Sequence, residues 1–144
     1  GGTSTAVFMR MADVPSEPVA RVRFLLALVG SPDQRQIDGL GGAHPLTSKA
    51  GIVRRSRTPG VDLDFLFAQL QPDRDTVDTE PNCGNMLAAV VPFALETGLA
   101  EPRGDTTTLR VLTLNTGMQS EITVRTPMTP SGRRVGALRD TRRV

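Results

Sequence analysis

The chain has 144 residues, one cysteine and a formal net charge of +2, and this length suits one domain with a real core. A single cysteine excludes an internal disulfide and a Cys-x-x-Cys redox pair, which fits a reducing compartment. No uncharged run approaches the ~18 residues of a membrane span, and no basic-then-apolar signal peptide opens the chain. We therefore expect a soluble, cytoplasmic protein without a membrane partner.

The positive charge is concentrated at one end of the sequence. Residues 127–144 carry five arginines and one aspartate, a net charge of +4, whereas the other 126 residues have 12 basic and 14 acidic side chains. A nucleic-acid-binding protein needs positive charge spread over a folded face and aromatic side chains for stacking. With five Phe and no Trp or Tyr, the chain is not expected to bind nucleic acid.

Sixteen of the seventeen basic side chains are arginine, and Lys49 is the single lysine. Arginine keeps its proton in proteins, whereas lysine can lose it, so a proton-accepting role requires lysine. An arginine-biased sequence can also retain a surface lysine by chance, and composition alone leaves both explanations open.

The first elements in chain order are a strand and a helix. A glycine turn precedes a predicted strand at residues 6–9, and the Gly-Gly start predicts a truncated or processed N-terminus. Ser16 is the expected N-cap of a helix with Pro18 in its first turn and Gly30 as its stop. The apolar residues of this helix recur at helical spacing; they are Val19, Val22, Leu26 and Val29.

Residues 31–44 form a long segment without periodicity. Its glycines and the apolar Ile37 and Leu40 favour an ordered site loop over disorder. It lacks a Gly-Lys-Ser/Thr ending and does not join a strand to a helix, so it is not a phosphate loop. His44 has no second histidine to pair with and is interpreted as a loop residue, so we expect no metal site.

Further strands are predicted by alternation and turn residues. The stretch 61–65 alternates strictly between apolar and polar residues, and with 66–70 it predicts a long, half-buried strand. The other predicted strands are 50–53, 76–79 and a hairpin of 107–115 and 120–126 around Gly117. Low apolar content predicts that the Arg-rich residues 127–144 are a disordered tail.

The polar turn Asn82-Cys83-Gly84-Asn85 leads into the uncharged residues 87–95, which predict a fully buried helix. Gly98 would stop this helix, and Pro92 inside it predicts a kink or two short helices. A helix start leaves backbone N–H groups unpaired and carries partial positive charge, which stabilises carboxylates and thiolates. A glycine there lets an anion approach those groups. The alternative for Cys83 is a small buried hydrophobe, which would not need three turn-forming neighbours.

Several motifs occur in a fixed order: Gly1-Gly2-Thr3-Ser4, Gly30-Ser31-Pro32-Asp33 with Arg35-Gln36-Ile37-Asp38-Gly39-Leu40-Gly41-Gly42, Thr47-Ser48-Lys49, Asn82-Cys83-Gly84-Asn85, and Asn115-Thr116-Gly117. Over residues 1–125 or so, the chain resembles the N-terminal half of the methylaconitate isomerase and 4-oxalomesaconate tautomerase family, which is related in fold to diaminopimelate epimerase. The wording of the second motif and the Phe65-Leu66-Phe67-Ala68-Gln69 strand are closest to the tautomerase branch. One departure is that Thr5 and Ala6 follow Ser4, where the family usually has Lys-Gly.

The resemblance implies an α+β fold in which mixed and antiparallel strands wrap around a central buried helix. Residues 1–126 would be the N-terminal epimerase-like domain and 127–144 the Arg-rich tail, with the family's second domain absent. A homo-oligomer or the missing C-terminal half would then cover an apolar face of the chain.

The resemblance also implies a cofactor-independent isomerase that moves a proton and a double bond in a small unsaturated di- or tricarboxylate, most closely of the 4-oxalomesaconate tautomerase type. Lys49 and Cys83 would be its acid–base pair, acting on opposite sides of the carbon framework. The implied substrate-binding residues are Gly2, Thr3, Ser4, Thr47, Ser48, Asn82, Gly84 and Asn85. Two alternatives are a methylaconitate or methylitaconate isomerase and an inactive remnant or carboxylate-binding half-module. An amino-acid epimerase fits less well because it usually pairs two cysteines.

Overall fold

The computed structural model describes residues 3–129, which form an α+β domain with one mixed six-stranded sheet and two helices. The strands are β1 (Val7–Arg10), β2 (Lys49–Arg55), β3 (Leu63–Leu70), β4 (Val77–Asp78), β5 (Thr106–Thr113) and β6 (Gln119–Arg125), and the helices are α1 (Pro18–Val29) and α2 (Gly84–Glu96). The strand order is β1-β2-β3-β5-β6, with β4 paired to β3. The β1–β2 and β3–β5 pairs are parallel and the others antiparallel. The α+β class and the predicted hairpin are confirmed.

The N-cap of the first helix lies one residue later than expected. Glu17, and not Ser16, is the N-cap, because its carboxylate accepts the N–H groups of Val19 and Ala20 at 2.9 and 2.6 Å. These backbone hydrogen bonds favour the charged carboxylate and lower the pKa of Glu17. The helix ends at Gly30, as predicted, in the left-handed conformation with φ 84°.

The face that α1 buries agrees only in part with the one expected: Val29 is buried and Leu26 packs against the core, as expected. Leu25 and Val29 are buried, whereas Val19 is 56% exposed. Leu25 and Val29 pack with Ala50 and Leu70 of the sheet. Helical spacing identified an amphipathic helix, but only the position of the sheet decides which of its apolar residues face inward.

The central strand β3 is buried on both faces, so the prediction of a half-buried strand was wrong. Phe65 and Phe67 belong to a core cluster with α2, while Ala68 and Leu70 belong to a second cluster with α1. Successive side chains of a strand point to opposite faces. A helix on each side of the sheet therefore buries nearly every residue of β3.

Helix α2 runs unbroken from Gly84 to Glu96 with Pro92 inside it, so two short helices do not form. Its inner residues pack on the sheet, while Ala88 and Glu96 are exposed. Side chains from β1, β2, β3, β5 and β6 pack in one cluster with these inner residues, so five strands of the sheet contribute to the core along α2. No helix within residues 3–129 is long and apolar enough to cross a membrane.

The end of the described chain bears on part of the predicted tail. Met128 forms an isolated β-bridge, so the chain continues in paired structure just beyond β6. Positions 130–144 of the predicted Arg-rich tail lie outside the described residues.

Candidate active site

The chain's single lysine and single cysteine lie in contact. Lys49 is the first residue of β2 and Cys83 is the N-cap of α2, and their Nζ and Sγ atoms are 3.9 Å apart. Within β2, Val53 faces α2, and the two-residue period of a strand points Lys49 to the same face. Lys49 is only 7% exposed, and Cys83 is half-buried. Two residues 34 positions apart are thus brought together at one end of the sheet.

The ammonium group of Lys49 lies over an aromatic ring. Its Nζ is 5.4 Å from the centroid of the Phe67 ring, a distance at which the ring quadrupole attracts a cation. No Asp or Glu between residues 3 and 129 forms an ion pair with Lys49. The positive charge is therefore free to attract an anionic group of a ligand.

The start of α2 offers backbone donors beside the thiol. The Cys83 side chain makes no capping hydrogen bond, and the Cys83 N–H donates to Asn82 Oδ1 at 2.8 Å. The N–H groups of Gly84 and Asn85 precede that of Met86, which donates the first hydrogen bond of the helix, to the carbonyl of Cys83. They lie at the end of the helix that carries partial positive charge. A Cβ atom added at Gly84 would meet nothing within 4 Å. The space above these amides is therefore open to a carboxylate.

The N-terminal segment joins the two halves of this site. Asn85 Nδ2 donates to Thr3 Oγ1 at 3.1 Å, and Thr5 N–H donates to the carbonyl of Leu46 at 3.0 Å. Ser4, between them, is buried. The segment thus connects the start of α2 with the turn before Lys49. Gly2, the remaining residue of this predicted group, lies outside the described residues.

The two residues before Lys49 are engaged with the preceding loop. Thr47 Oγ1 donates to the carbonyl of His44 at 3.0 Å, and Ser48 is fully buried. The Ser48 hydroxyl lies 2.8 Å from the carbonyl of His44 and 3.0 Å from Gln36 Oε1, so it is engaged within the chain, and its predicted substrate contact stays a prediction. His44 Nδ1 accepts the N–H of Leu46 at 3.0 Å, so His44 acts as a loop residue.

The contact between Lys49 and Cys83 constrains how the pair can work. No substrate carbon fits between two atoms 3.9 Å apart, because a carbon in van der Waals contact with both would need about twice the 3.5–4.0 Å optimum for one contact. The expected action on opposite sides would require them to separate.

Sequence reasoning missed Phe67 and Gln36 as site residues. Phe67 lies opposite Gly51, two residues beyond Lys49 on β2, and the alternation of the two strands could have placed it beneath the lysine. Gln36 is 1% exposed at the centre of the 31–44 loop, and no periodic pattern marks it. The loop is ordered, as expected, although its apolar Ile37 and Leu40 are exposed.

Surface depressions also occur away from this pair. Two of them share Asp62 and Arg103 in their walls, but these two side chains already pair with each other at 2.6 Å. They offer no acid–base contact comparable to that of Lys49 and Cys83. Over residues 3–129, no group of three or more His, Cys, Asp and Glu side chains could hold a metal ion.

Comparisons with known proteins place the chain in a family. A family model described as PrpF protein matches residues 1–133. The (4E)-oxalomesaconate Delta-isomerase of Novosphingobium sp. (strain KA1) is 51% identical over 127 residues, which are 88% of this chain and 36% of that protein. The 4-oxalomesaconate tautomerase of Pseudomonas putida KT2440 is 50% identical over 117 residues, 81% of this chain and 32% of that protein.

The fold of the chain is similar to that of a solved structure. The crystal structure of a methylitaconate-delta-isomerase superposes with a TM-score of 0.84 at 38% identity, covering 92% of this chain and 58% of that chain. The chain spans about a third of the length of the two relatives above, which is less than the half expected from the resemblance.

Proposed function

The chain belongs to the PrpF protein family, and on that premise we propose that it carries the acid–base machinery of an isomerase acting on a small unsaturated di- or tricarboxylate. The reaction would be a keto–enol proton shift of the 4-oxalomesaconate tautomerase type. The observation that carries this proposal is the 3.9 Å contact between Lys49 Nζ and Cys83 Sγ beside the start of α2. The proton transfer itself calls only on these two side chains.

The proposed chemistry follows from what surrounds the pair. Removing a proton from a carbon beside a carbonyl or carboxylate builds negative charge on oxygen, and preorganised donors stabilise that charge. The open amides of Gly84 and Asn85 supply such donors. Lys49, once neutral, can take the proton from carbon, and Cys83 can supply one to the oxygen or to a neighbouring carbon. Their contact then lets the two groups exchange the proton and return to their starting states.

Relatives favour the oxalomesaconate type over the alternatives. The two proteins described above are about half identical to this chain, whereas a 3-methylitaconate isomerase from Eubacterium barkeri is 41% identical over 116 residues. A methylitaconate or methylaconitate isomerase of the same family is the first alternative. The second is a carboxylate-binding module without turnover.

The proposal is tested by following the enol absorbance of 4-oxalomesaconate with the purified chain. We expect conversion above the buffer rate, and its loss in Lys49→Ala and Cys83→Ala. Lys49→Arg is the matched control, because arginine keeps the positive charge but cannot release its proton. We expect Lys49→Arg to be as inactive as Lys49→Ala. Conversion that persists in the alanine variants would contradict the assigned roles.

The same preparation separates the two alternatives. Faster conversion of 3-methylitaconate or 2-methylaconitate than of 4-oxalomesaconate would favour the first alternative. Calorimetric binding of a dicarboxylate with no conversion of any of the three would favour the binding module. In that case Gly84→Ala, which fills the open space above the amides, should weaken binding.

A further inference from the structure

We propose that Gln36 is the positioning residue of Lys49, because its buried side-chain amide forms a hydrogen bond with Ser48, the residue directly before Lys49. This inference rests on the proposed function, in which the placement of Lys49 Nζ against Cys83 Sγ decides activity. It concerns a loop residue that does not touch the pair.

Gln36 is held at the centre of its loop. It is 1% exposed, and its backbone adopts φ 48°, a left-handed conformation that few residues other than glycine adopt. A Cβ atom at Gly41 would lie 2.1 Å from Gln36 Oε1. The glycine therefore leaves the room that the amide occupies, and the loop closes around this one side chain.

Every polar atom of the Gln36 amide has a partner in a different part of the chain. Nε2 donates to Ser31 Oγ at 3.1 Å, just beyond α1. Oε1 accepts the backbone N–H of Ala43 at 2.8 Å and lies 3.0 Å from Ser48 Oγ. The Ala43 N–H can only donate, so it fixes which end of the amide is the oxygen. A buried amide satisfied in this way holds its three partners in one geometry.

Ser48 connects this anchor to the catalytic lysine. Its φ and ψ of −115° and 65° lie outside the strand region, so the chain bends immediately before Lys49. On one side Lys49 pairs with Gln69 of β3, but the pairing with β1 begins only at Ala50. The start of β2 is therefore secured by β3 on one side. On the other side the Ser48 hydroxyl shares its single proton between Gln36 Oε1 at 3.0 Å and the carbonyl of His44 at 2.8 Å, which ties Ser48 to the loop.

The single cysteine provides a readout that does not depend on turnover. A cation beside a thiol favours the thiolate, which is the form that iodoacetamide alkylates. In the full chain at pH 7, we expect Lys49→Met to slow alkylation of Cys83 about fivefold, a modest Coulomb effect for a partly solvated pair. Gln36→Met, which keeps the volume and removes the amide, should slow it about two- to threefold.

The double variant distinguishes positioning from general stability. If Gln36 acts through Lys49, Gln36→Met/Lys49→Met should react at the rate of Lys49→Met alone, because the two effects do not add. Thr107→Val is the matched control: it removes a buried hydrogen bond at the start of β5 and should leave the alkylation rate unchanged.

Each result has a defined meaning. A wild-type rate in Gln36→Met, or effects of Gln36→Met and Lys49→Met that multiply in the double variant, would overturn the inference while leaving the acid–base pair in place. No effect of Lys49→Met would overturn the pair and the inference together. If circular dichroism shows that Gln36→Met is unfolded, Ser48→Ala removes the Gln36–Ser48 hydrogen bond from its other end, together with the bond to the carbonyl of His44. It should slow alkylation about twofold, and a wild-type rate would then overturn the inference.

Discussion

Replacing Gly51 by alanine should destabilise the fold through a single clash in the core between the sheet and α2. A Cβ atom there would lie 2.6, 2.8 and 2.9 Å from three ring atoms of Phe8, whereas ordinary contacts begin at 3.4 Å. The ring would have to withdraw by about 0.8 Å. It has little freedom to do so, because it packs against Phe65 and Phe93 at centroid distances of 6.2 and 5.7 Å.

The magnitude follows from two opposing effects. Overpacking a well-packed core costs about 1–3 kcal/mol, whereas replacing a strand glycine by alanine alone would stabilise by about 0.5–1 kcal/mol. We expect Gly51→Ala to lower the free energy of unfolding by about 1–2 kcal/mol, measured by urea titration. Gly84→Ala is the matched control, since its added methyl group meets nothing within 4 Å, and should change the free energy by less than about 0.5 kcal/mol.

A rescue variant shows whether the clash is the cause. Phe8→Leu replaces the ring with a smaller side chain and so removes the clash. The double variant Gly51→Ala/Phe8→Leu should therefore be more stable than the sum of the two single effects implies. If Gly51→Ala proves as stable as the wild type, the packing described around Phe8 is wrong.

Two further predictions concern caps and buried hydrogen bonds. Because the pKa of Glu17 is lowered in the folded chain, its carboxylate stabilises the fold above the ordinary pKa of 4.5, and this stabilisation is lost as pH falls through the lower folded value. Glu17→Gln should therefore lower the thermal midpoint at pH 7 but match the wild type in acid below both values. A difference in thermal midpoint that persists in acid would contradict this account. The Asn115 side chain forms hydrogen bonds with the N–H and the carbonyl of Phe67, both at 2.8 Å, and with the carbonyl of Thr79. In urea titrations, Asn115→Ala should lower the free energy of unfolding by about 1–3 kcal/mol, and the exposed Asn82→Ala by less than ~1 kcal/mol. Equal losses in the two variants would refute this prediction.

Local sequence patterns predicted the helix end and the hairpin correctly, because turn residues and alternation determine where these elements begin and end. Gly30 ends α1 because its left-handed backbone is easy for glycine, and the β5–β6 hairpin follows from alternation around a turn. The cap of α1 was assigned to Ser16 because serine is common there, but the longer carboxylate of Glu17 reaches the same N–H groups. The burial of β3 on both faces could not be predicted, since it depends on where α1 packs.

The sequence could identify the rare residues of the site, but it could not identify the residues that position them. Lys49 and Cys83 are each the single residue of their type, and the resemblance named them as a pair. Their 3.9 Å contact depends on how α2 lies across the sheet, which no local pattern encodes. Gln36 could not be identified because its role appears only when residues 31–44 fold around it. Ser48 belongs to the same motif as Lys49, but its burial depends on the fold of the preceding loop, which no local pattern encodes.

The most direct test of the acid–base pair is the exchange of a substrate proton with solvent. The purified chain would be incubated with 4-oxalomesaconate in D2O, and loss of the proton signal at the carbon beside the carbonyl followed by NMR. We predict deuterium incorporation above the buffer rate for the wild type, and incorporation at the buffer rate for Lys49→Arg and Cys83→Ala. Incorporation by Lys49→Arg at the wild-type rate would contradict the claim that Lys49 takes the proton from carbon.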